Sequence, residues 1–457
     1  MSQSITAPHA IVVGKRLIVG LGRTGLSVAR HLHAQGIEFA VTDGSTAPGG
    51  LAALQEFAPS VQLFLGSLTP VALENVVEVI VSPGIALRSP LLQAAQTRGI
   101  PIVGDVELFA RATQVPIAAI TGTNGKSTVT TLLALMAQAC GLRAYAGGNL
   151  GRPALDLLQE TPADLFVLEL SSFQLETTAS LTTKTSTVLN VSSDHMDRYD
   201  SMLDYAQAKA RVFDRCATAV INLDDPLVAA MPRHGQTVLS FTVQDGVSAD
   251  YSITQTTDGV VLCRQGKSLL AMSELKLTGL HNAANALAAL AMSEALSLDQ
   301  QLCLQALRDF PGLPHRAEWV ADVQGVRYIE DSKGTNVGAT LAAVNGMCGP
   351  LIVIAGGQGK GQDFAPLAAS FRGKVKHVVL LGQDAAQLDS VLNTVCSTER
   401  VSSMEQAVQA AARIAQAGDT VLLSPACASL DMFRDYAHRG AVFAHAVKEL
   451  TVKELRS

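Results

Sequence analysis

The sequence predicts a three-domain α/β protein built on largely parallel sheets. Three observations carry that expectation: chain length, composition, and the recurrence of apolar runs that end in Gly-rich or acidic turns before helical periodicity sets in. A chain of 457 residues exceeds what one hydrophobic core sustains. Hydrophobic residues make up 48% and charged residues 16%, with 37 Gly and 17 Pro, a balance that fits an Ala- and Val-rich α/β chain and excludes disorder or a coiled coil. The net charge of −6 argues against general nucleic-acid binding, so anionic ligands must be held by local groups.

The first segment opens with the strand Arg16-Leu17-Ile18-Val19, then the turn Gly20-Leu21-Gly22-Arg23-Thr24-Gly25, a helix through His33 and a second strand from Glu38 to Thr42. This is a βαβ unit with a GxGxxG turn, and it predicts a Rossmann-like domain. Apolar runs from Val76 to Val81, before Ser82-Pro83-Gly84, and from Ile100 to Val103 extend its sheet, and the domain spans residues 1–105. Read alone, GLGRTG would suggest an NAD(P)-dependent dehydrogenase.

A second domain, residues 106–312, starts with the strand Pro116 to Ile120, the turn Thr121-Gly122-Thr123-Asn124-Gly125-Lys126-Ser127-Thr128 and a helix from Val129 to Cys140. Strand, Gly-rich turn and helix are the context of a P-loop, so this domain is expected to be a P-loop-type ATPase on a parallel sheet. Gly122 and Gly125 let the backbone N–H groups face phosphate oxygens, Lys126 supplies a cation, and Ser127 or Thr128 a hydroxyl for Mg²⁺. The spacing is one glycine short of GxxxxGK[ST], because Ile120 stands where glycine is required. Later strands are expected at Leu165 to Leu168, Thr187 to Asn190 and Ala219 to Asn222, with a hairpin-like β extension over Asp250 to Leu277 turning at Thr257-Asp258-Gly259.

Two prolines and a glycine in Phe310-Pro311-Gly312-Leu313-Pro314 mark the next boundary. Residues 313–457 are expected to form a third, Rossmann-like α/β domain: a hairpin from Glu318 to Ile329 around Gln324-Gly325, then strands at Leu351 to Ala355, His377 to Leu381 and Thr420 to Leu423. The seven cysteines, Cys140, Cys216, Cys263, Cys303, Cys348, Cys396 and Cys427, show no CxxC pair and read as reduced, mostly buried residues of a cytoplasmic protein. No uncharged apolar stretch reaches about 18 residues, and no signal peptide is indicated.

Several constellations carry chemistry. Glu169, at the end of an apolar strand downstream of the P-loop, has the placement of a Mg²⁺-binding carboxylate. Asp194-His195-Met196-Asp197-Arg198 makes His195 a candidate metal ligand or phosphate contact, oriented by Asp194 or Asp197. Lys209 lies between two alanines, where a cation can be buried and reactive. Asn282 and Asn285, one helical turn apart, suit either a purine edge or an N-cap. His315-Arg316, Asp331-Ser332-Lys333-Gly334-Thr335-Asn336, Gly356-Gly357-Gln358-Gly359-Lys360 and Ser424-Pro425-Ala426-Cys427-Ala428-Ser429-Leu430-Asp431 follow the linker or strands, the last three expected at one sheet edge.

In this order TGTNGKST, LELSSFQLE, DHMDR, HNxxN, PHR, DSKGTN, GGQGKG and SPACASLDMF resemble the Mur ligases, the ATP-dependent amide-forming ligases of peptidoglycan synthesis, over nearly the whole chain. SSFQLE and SPACASLDMF point to the D-glutamate-adding branch. The resemblance implies cytoplasmic addition of D-glutamate to UDP-N-acetylmuramoyl-L-alanine through an acyl phosphate, by a monomer that needs neither nucleic acid nor membrane. It further implies that the first Gly-rich turn receives the uridine diphosphate, through Gly22, Arg23, Thr24, Asp43, Ser82 and Gly84, with Asn149 and His195 on the muramoyl part. The TGTNGKST residues together with Asn282, Asn285, Arg316 and Asp331 would bind ATP. Ser127, Thr128, Glu169, His195 and a carbamylated Lys209 would serve two Mg²⁺ ions. Thr335, Lys360, Ser429, Leu430 and Tyr436 would hold D-glutamate, with Lys333 near the acyl phosphate. Two departures stand out: Asp43-Gly44-Ser45 lacks an arginine that some members carry beside the uracil, and Tyr436 stands where phenylalanine is familiar. A non-catalytic nucleotide switch is a further alternative from the same P-loop; it predicts no phosphate release dependent on both substrates.

Overall fold

A computed structural model describes residues 14–257, 259–277, 279–347 and 349–454. Asp258 of the expected hairpin turn and Cys348 lie outside the described residues. The first sheet holds β1 (Lys15–Val19), β2 (Phe39–Asp43), β3 (Gln62–Leu65), β4 (Val76–Val81) and β5 (Ile102–Val103), in the order β3-β2-β1-β4-β5. Its four pairings are parallel. Leu17, Val19, Ala40, Val79 and Val81 are buried in one cluster with Leu91, Leu92 and Ala95 of the helix Pro90–Thr97. Strand order reverses between β1 and β4, which opens a crevice at their C-terminal ends. The turn Gly20 to Gly25 and Ser82 sit there.

The second sheet holds β6 (Ile117–Thr121), β7 (Ala144–Gly148), β8 (Leu165–Glu169), β9 (Thr183–Val188), β10 (Cys216–Asn222), β11 (Thr237–Phe241), β12 (Tyr251–Thr256), β13 (Gly259–Arg264) and β14 (Lys267–Ala271). The order is β14-β13-β12-β11-β10-β9-β6-β8-β7. The β12–β13 and β13–β14 pairs are antiparallel, as the hairpin-like alternation predicts. The strand expected at Thr187 to Asn190 instead runs Thr183–Val188. Its Thr185, Ser186 and Thr187 are fully buried, so a polar-looking run is an interior strand. Leu189 and Asn190 lie beyond it and serve the phosphate loop: Leu189 N donates to Thr121 O at 3.0 Å and Thr123 N to Asn190 O at 2.9 Å.

The third sheet holds β15 (Glu318–Val323), β16 (Val326–Glu330), β17 (Leu351–Gly356), β18 (Val375–Leu381), β19 (Ser397–Arg400) and β20 (Thr420–Leu423), ordered β15-β16-β20-β17-β18-β19. Only the β15–β16 hairpin among its pairs is antiparallel. Alternate residues of β17 enter different clusters: Leu351, Val353 and Ala355 pack with Leu367 and Phe371, while Ile352 and Ile354 pack with Val408 and Phe443. Both faces are therefore covered, as a parallel sheet requires.

Contacts divide the chain into two compact units. One comprises residues up to Ala119 with Leu142–Lys184 and Asp214–Ala217; the other comprises Ile120–Gly141, Thr185–Phe213 and residues from Thr218 on. Among the described residues no helix is long and apolar enough to cross a membrane. Cys140, Cys216, Cys263, Cys303, Cys396 and Cys427 are free thiols.

Candidate active site

The larger unit carries the phosphate loop. Gly125 has φ +84° and caps the helix Lys126–Ala139, and a Cβ there would lie 2.3 Å from Asn285 Oδ1. Only glycine fits both the backbone and the neighbour. No side chain caps this helix, so its first N–H groups remain available to an anion. Lys126 Nζ lies over the loop, donating to Gly122 O at 3.0 Å and Thr123 O at 2.8 Å. Asn190, which sequence reasoning missed, clamps the loop from the end of β9: its Oδ1 accepts from Asn124 N at 2.8 Å and its Nδ2 donates to Asn124 O at 3.1 Å.

A cavity of about 310 Å³ opens beside this loop and is lined by Asn124, Gly125, Thr128, Asn282, Asn285, Arg316 and Asp331. Seven residues expected at the nucleotide thus border one space. Asn285 Nδ2 donates to Asn282 Oδ1 at 3.2 Å, which orients the pair on the helix Leu280–Ala295. Phe241, Val243, Leu277, Leu313 and Met347 supply apolar wall. They come from four separate stretches of chain and carry no local motif, which is why the sequence did not disclose them.

Cations from the third sheet's loops reach the loop hydroxyl. Arg316 Nη2 lies 3.4 Å and Lys333 Nζ 3.2 Å from Ser127 Oγ. Asp331, just after β16, is buried; desolvation pushes its carboxyl up to about 7, opposed by the Ser424 hydroxyl at 2.9 Å and by the charge of Arg316. Lys360 Nζ stands 3.6 Å from Asp194 Oδ1, and His195 Nε2 3.7 Å from Asp194 Oδ2. Of the two acids weighed for orienting His195, Asp194 is thus in contact. Burial holds the imidazole below its ordinary value; Asp194 opposes this, while Lys360, Lys209 and Lys126 reinforce it. His195, His315, Ala317, Lys360 and Ala426 all have positive φ, a concentration of costly backbone in these loops.

Lys209 lies in the last turn of the helix Met202–Ala210 and is 2% exposed. Its Nζ donates to Gly122 O at 3.0 Å and lies 4.3 Å from the centre of the Tyr205 ring.

The loops expected to hold an amino acid converge at the C-terminal ends of β16, β17 and β20. Ala426 N donates to Gly334 O, and Gln358 and Ala428 form a bridge. Ser429 is buried, Leu430 is 68% exposed, and Lys333 Nζ lies 5.0 Å from the centre of the Tyr436 ring. Arg439, absent from the sequence expectations, is buried beneath them and donates to Ser332 Oγ, Ser332 O and Cys427 O. Burial lowers its guanidinium to about 10.

The smaller unit carries the remaining expected residues. Asp43 braces the turn itself: its Oδ2 accepts from Leu21 N at 2.7 Å and its Oδ1 from Ser45 N at 2.8 Å. Gly22 and Arg23 are exposed at the start of the helix Arg23–Ala34, which has no side-chain cap, and Gly84 is exposed after β4. Ser82 Oγ donates to Gly20 O at 3.0 Å. Glu169 is buried at the end of β8; its Oε1 accepts from Asn149 Nδ2 at 2.7 Å, and its Oε2 takes no hydrogen bond. An orphaned buried carboxylate oxygen fits a hard cation.

Comparison with known proteins agrees with this architecture. Family models match for a MurD-like N-terminal domain of Mur ligases over residues 14–104, a Mur ligase middle domain over 120–293 and a Mur ligase glutamate ligase domain over 315–427. A UDP-N-acetylmuramoylalanine–D-glutamate ligase of Nitrosococcus oceani is 50% identical, with 96% of this chain and 97% of the relative covered. One of the same name from Methylococcus capsulatus is 49% identical, with 95% and 94% covered. Among solved structures, the UDP-N-acetylmuramate-alanine ligase MurC of Thermotoga maritima superposes with a TM-score of 0.61 at 17% identity, covering 95% of this chain and 99% of that one. MurF of Acinetobacter baumannii gives 0.59 at 15%, covering 94% and 90%. At such identities the last two show the fold alone.

Proposed function

The chain belongs to the Mur ligase family, and we propose that it joins D-glutamate to UDP-N-acetylmuramoyl-L-alanine with consumption of ATP, in peptidoglycan precursor synthesis. The observation that carries this reading is the meeting of Arg316 and Lys333 at Ser127 beside a cavity bordered by Asn282 and Asn285. A carboxylate is a poor electrophile. Transfer of the γ-phosphoryl group of ATP to the alanyl carboxylate makes an acyl phosphate; the neutral amine of D-glutamate then attacks its carbonyl carbon, the C–O bond to phosphate breaks, and the amine proton is lost. There is little covalent work for the protein, so positioning and charge neutralisation dominate.

In this reading the turn Gly122, Thr123, Asn124, Gly125 holds the phosphates, Lys126 and Arg316 neutralise the transferred group, and Lys333 stands by the acyl phosphate. Asn282 and Asn285 read the adenine edge, and Asp331 the ribose. The hydroxyls of Ser127 and Thr128 are hard oxygens of the kind Mg²⁺ takes, as is the carboxylate of Glu169, and His195 and a carbamylated Lys209 would serve a second ion; bound, Mg²⁺ would offset phosphate charge. Burial of Lys209 supports the modification, since a carbamate exchanges a buried ammonium for an anionic ligand. Gly22, Arg23, Thr24, Asp43, Ser82 and Gly84 receive the uridine diphosphate, and Asn149 the muramoyl group. Thr335, Lys360, Ser429, Leu430 and Tyr436 take D-glutamate. Domains 1–105, 106–312 and 313–457 then divide UDP-substrate, ATP and amino acid among them, in a cytoplasmic monomer.

Phosphate release measured with UDP-N-acetylmuramoyl-L-alanine and each amino acid in turn tests this. Release is expected with D-glutamate and not with L-glutamate, alanine or diaminopimelate. Equal release with another amino acid, or none with D-glutamate, overturns the assignment.

A further inference from the structure

Asn336 caps the helix Val337–Gly346, its Oδ1 accepting from Ala339 N at 2.8 Å. That task needs one oxygen, which Ser, Thr or Asp would supply equally well. The amide does three further things. Its Oδ1 also accepts from Asn124 Nδ2 at 3.3 Å, and its Nδ2 donates to Asn124 Oδ1 at 3.2 Å and to Asp194 Oδ2 at 3.3 Å. Both lone pairs and both hydrogens are used, and the side chain is 3% exposed, so the amide has no spare valence for a ligand. The cap fixes which end is oxygen and therefore which end faces the Asp194 carboxylate. Aspartate in its place would set a carboxylate against Asp194 and Asn124 Oδ1.

The partners are informative. Asn124 is held at its backbone by Asn190 and belongs to the phosphate loop. Asp194 pairs with Lys360. Asn336 itself directly follows Lys333-Gly334-Thr335. One buried amide therefore joins the segment bearing Lys333 and Thr335 to the phosphate loop and to the acid that holds Lys360. We propose that Asn336 is a positioning residue, a latch that fixes the amino-acid loops against the phosphate loop so that Lys333, Thr335 and Lys360 stand in register with the transferred phosphoryl group. The inference rests on the proposed function for what those loops bind, but the latch itself does not.

A double-mutant cycle on Asn336→Ser and Asn124→Ser tests it, because serine keeps a cap oxygen at 336 and removes the amide. Asn336→Ser is expected to lower kcat/KM for D-glutamate by about 10- to 100-fold, the loss of buried hydrogen bonds that include one to a carboxylate. The thermal midpoint should fall by only a few degrees. The double variant should be little worse than Asn336→Ser alone, since that change already breaks the pair with Asn124. Hydrogen exchange should quicken at Asn124–Ser127 and Thr335–Ala339 in both single variants. Kinetics within twofold of the parent with unchanged exchange, or fully additive losses, would overturn the latch. A parent inactive with D-glutamate would count against the substrate assignment alone, and exchange would still decide the latch.

Discussion

Two Gly-rich strand-to-helix turns, Gly20 to Gly25 after β1 and Thr121 to Thr128 after β6, look alike in the sequence and are built differently. In the first, the neighbours close the turn: Asp43 accepts from Leu21 N, Ser82 Oγ donates to Gly20 O, and a Cβ on Gly25 would lie 1.9 Å from Gly20 O. Its ring of short contacts leaves the exposed start of an uncapped helix as the feature that faces outward. In the second, the surroundings are cationic and amidic: Lys126, Lys209, Arg316 and Lys333 approach the loop or its Ser127, and Asn285 approaches Gly125. Glycine spacing thus sets backbone shape, while the side chains brought around it decide how much negative charge the turn can hold. The dehydrogenase reading of GLGRTG considered the first property only, and membership of the Mur ligases removes it.

The sharpest way to break the contrast is Lys126→Ala. Turnover by phosphate release should fall on the order of 10³-fold, as for loss of a group that meets charge in the transition state, with the thermal midpoint nearly unchanged. Lys209→Ala comes next. A loss of about 100-fold is expected if the lysine supports a metal, within the range for groups that support metal ligands, and short carboxylates should restore part of it; unchanged turnover would remove Lys209 from the site. Asp43→Ala should act on the other turn, raising KM for the UDP substrate about tenfold and leaving KM for ATP within twofold. It should also cost roughly 1–3 kcal/mol by denaturant unfolding, because Leu21 N loses its partner.

The smallest effect is on pH. The Asp331 carboxyl is pushed up to about 7 by burial, above its ordinary 3.8. Between these values the folded state holds a proton that the unfolded state has lost, so this group's contribution to stability is full below 3.8 and declines as pH rises through 7. Asp331→Asn should flatten that slope in nucleotide-free protein, and unfolding free energies at pH 5 and pH 8 would show it. An unchanged slope would assign the pH dependence elsewhere.

Much of this was legible in the sequence because local pattern carried it. The β12–β13 pairing and the Gln324-Gly325 hairpin follow from alternation and turn chemistry, and β4 and β20 match their apolar runs to the residue. What escaped was decided at long range. The first half of β9 hides behind buried hydroxyls, β7 behind two glycines in Ala144–Gly148, and β19 is a short Ser397–Arg400 segment on the sheet edge. Within the site, Lys126 and Arg316 announced themselves by charge beside a motif. Asn190, Asn336 and Arg439 did not, because their importance lies in partners 66, 212 and 107 positions away.

The contrast between the turns predicts that ATP and the UDP substrate answer to different residues. Calorimetric titration of the parent protein and of Lys126→Ala with each ligand tests this most directly. The variant should lose measurable ATP binding while binding UDP-N-acetylmuramoyl-L-alanine within threefold of the parent. Retained ATP affinity, or loss of both ligands together in a folded variant, would contradict the account.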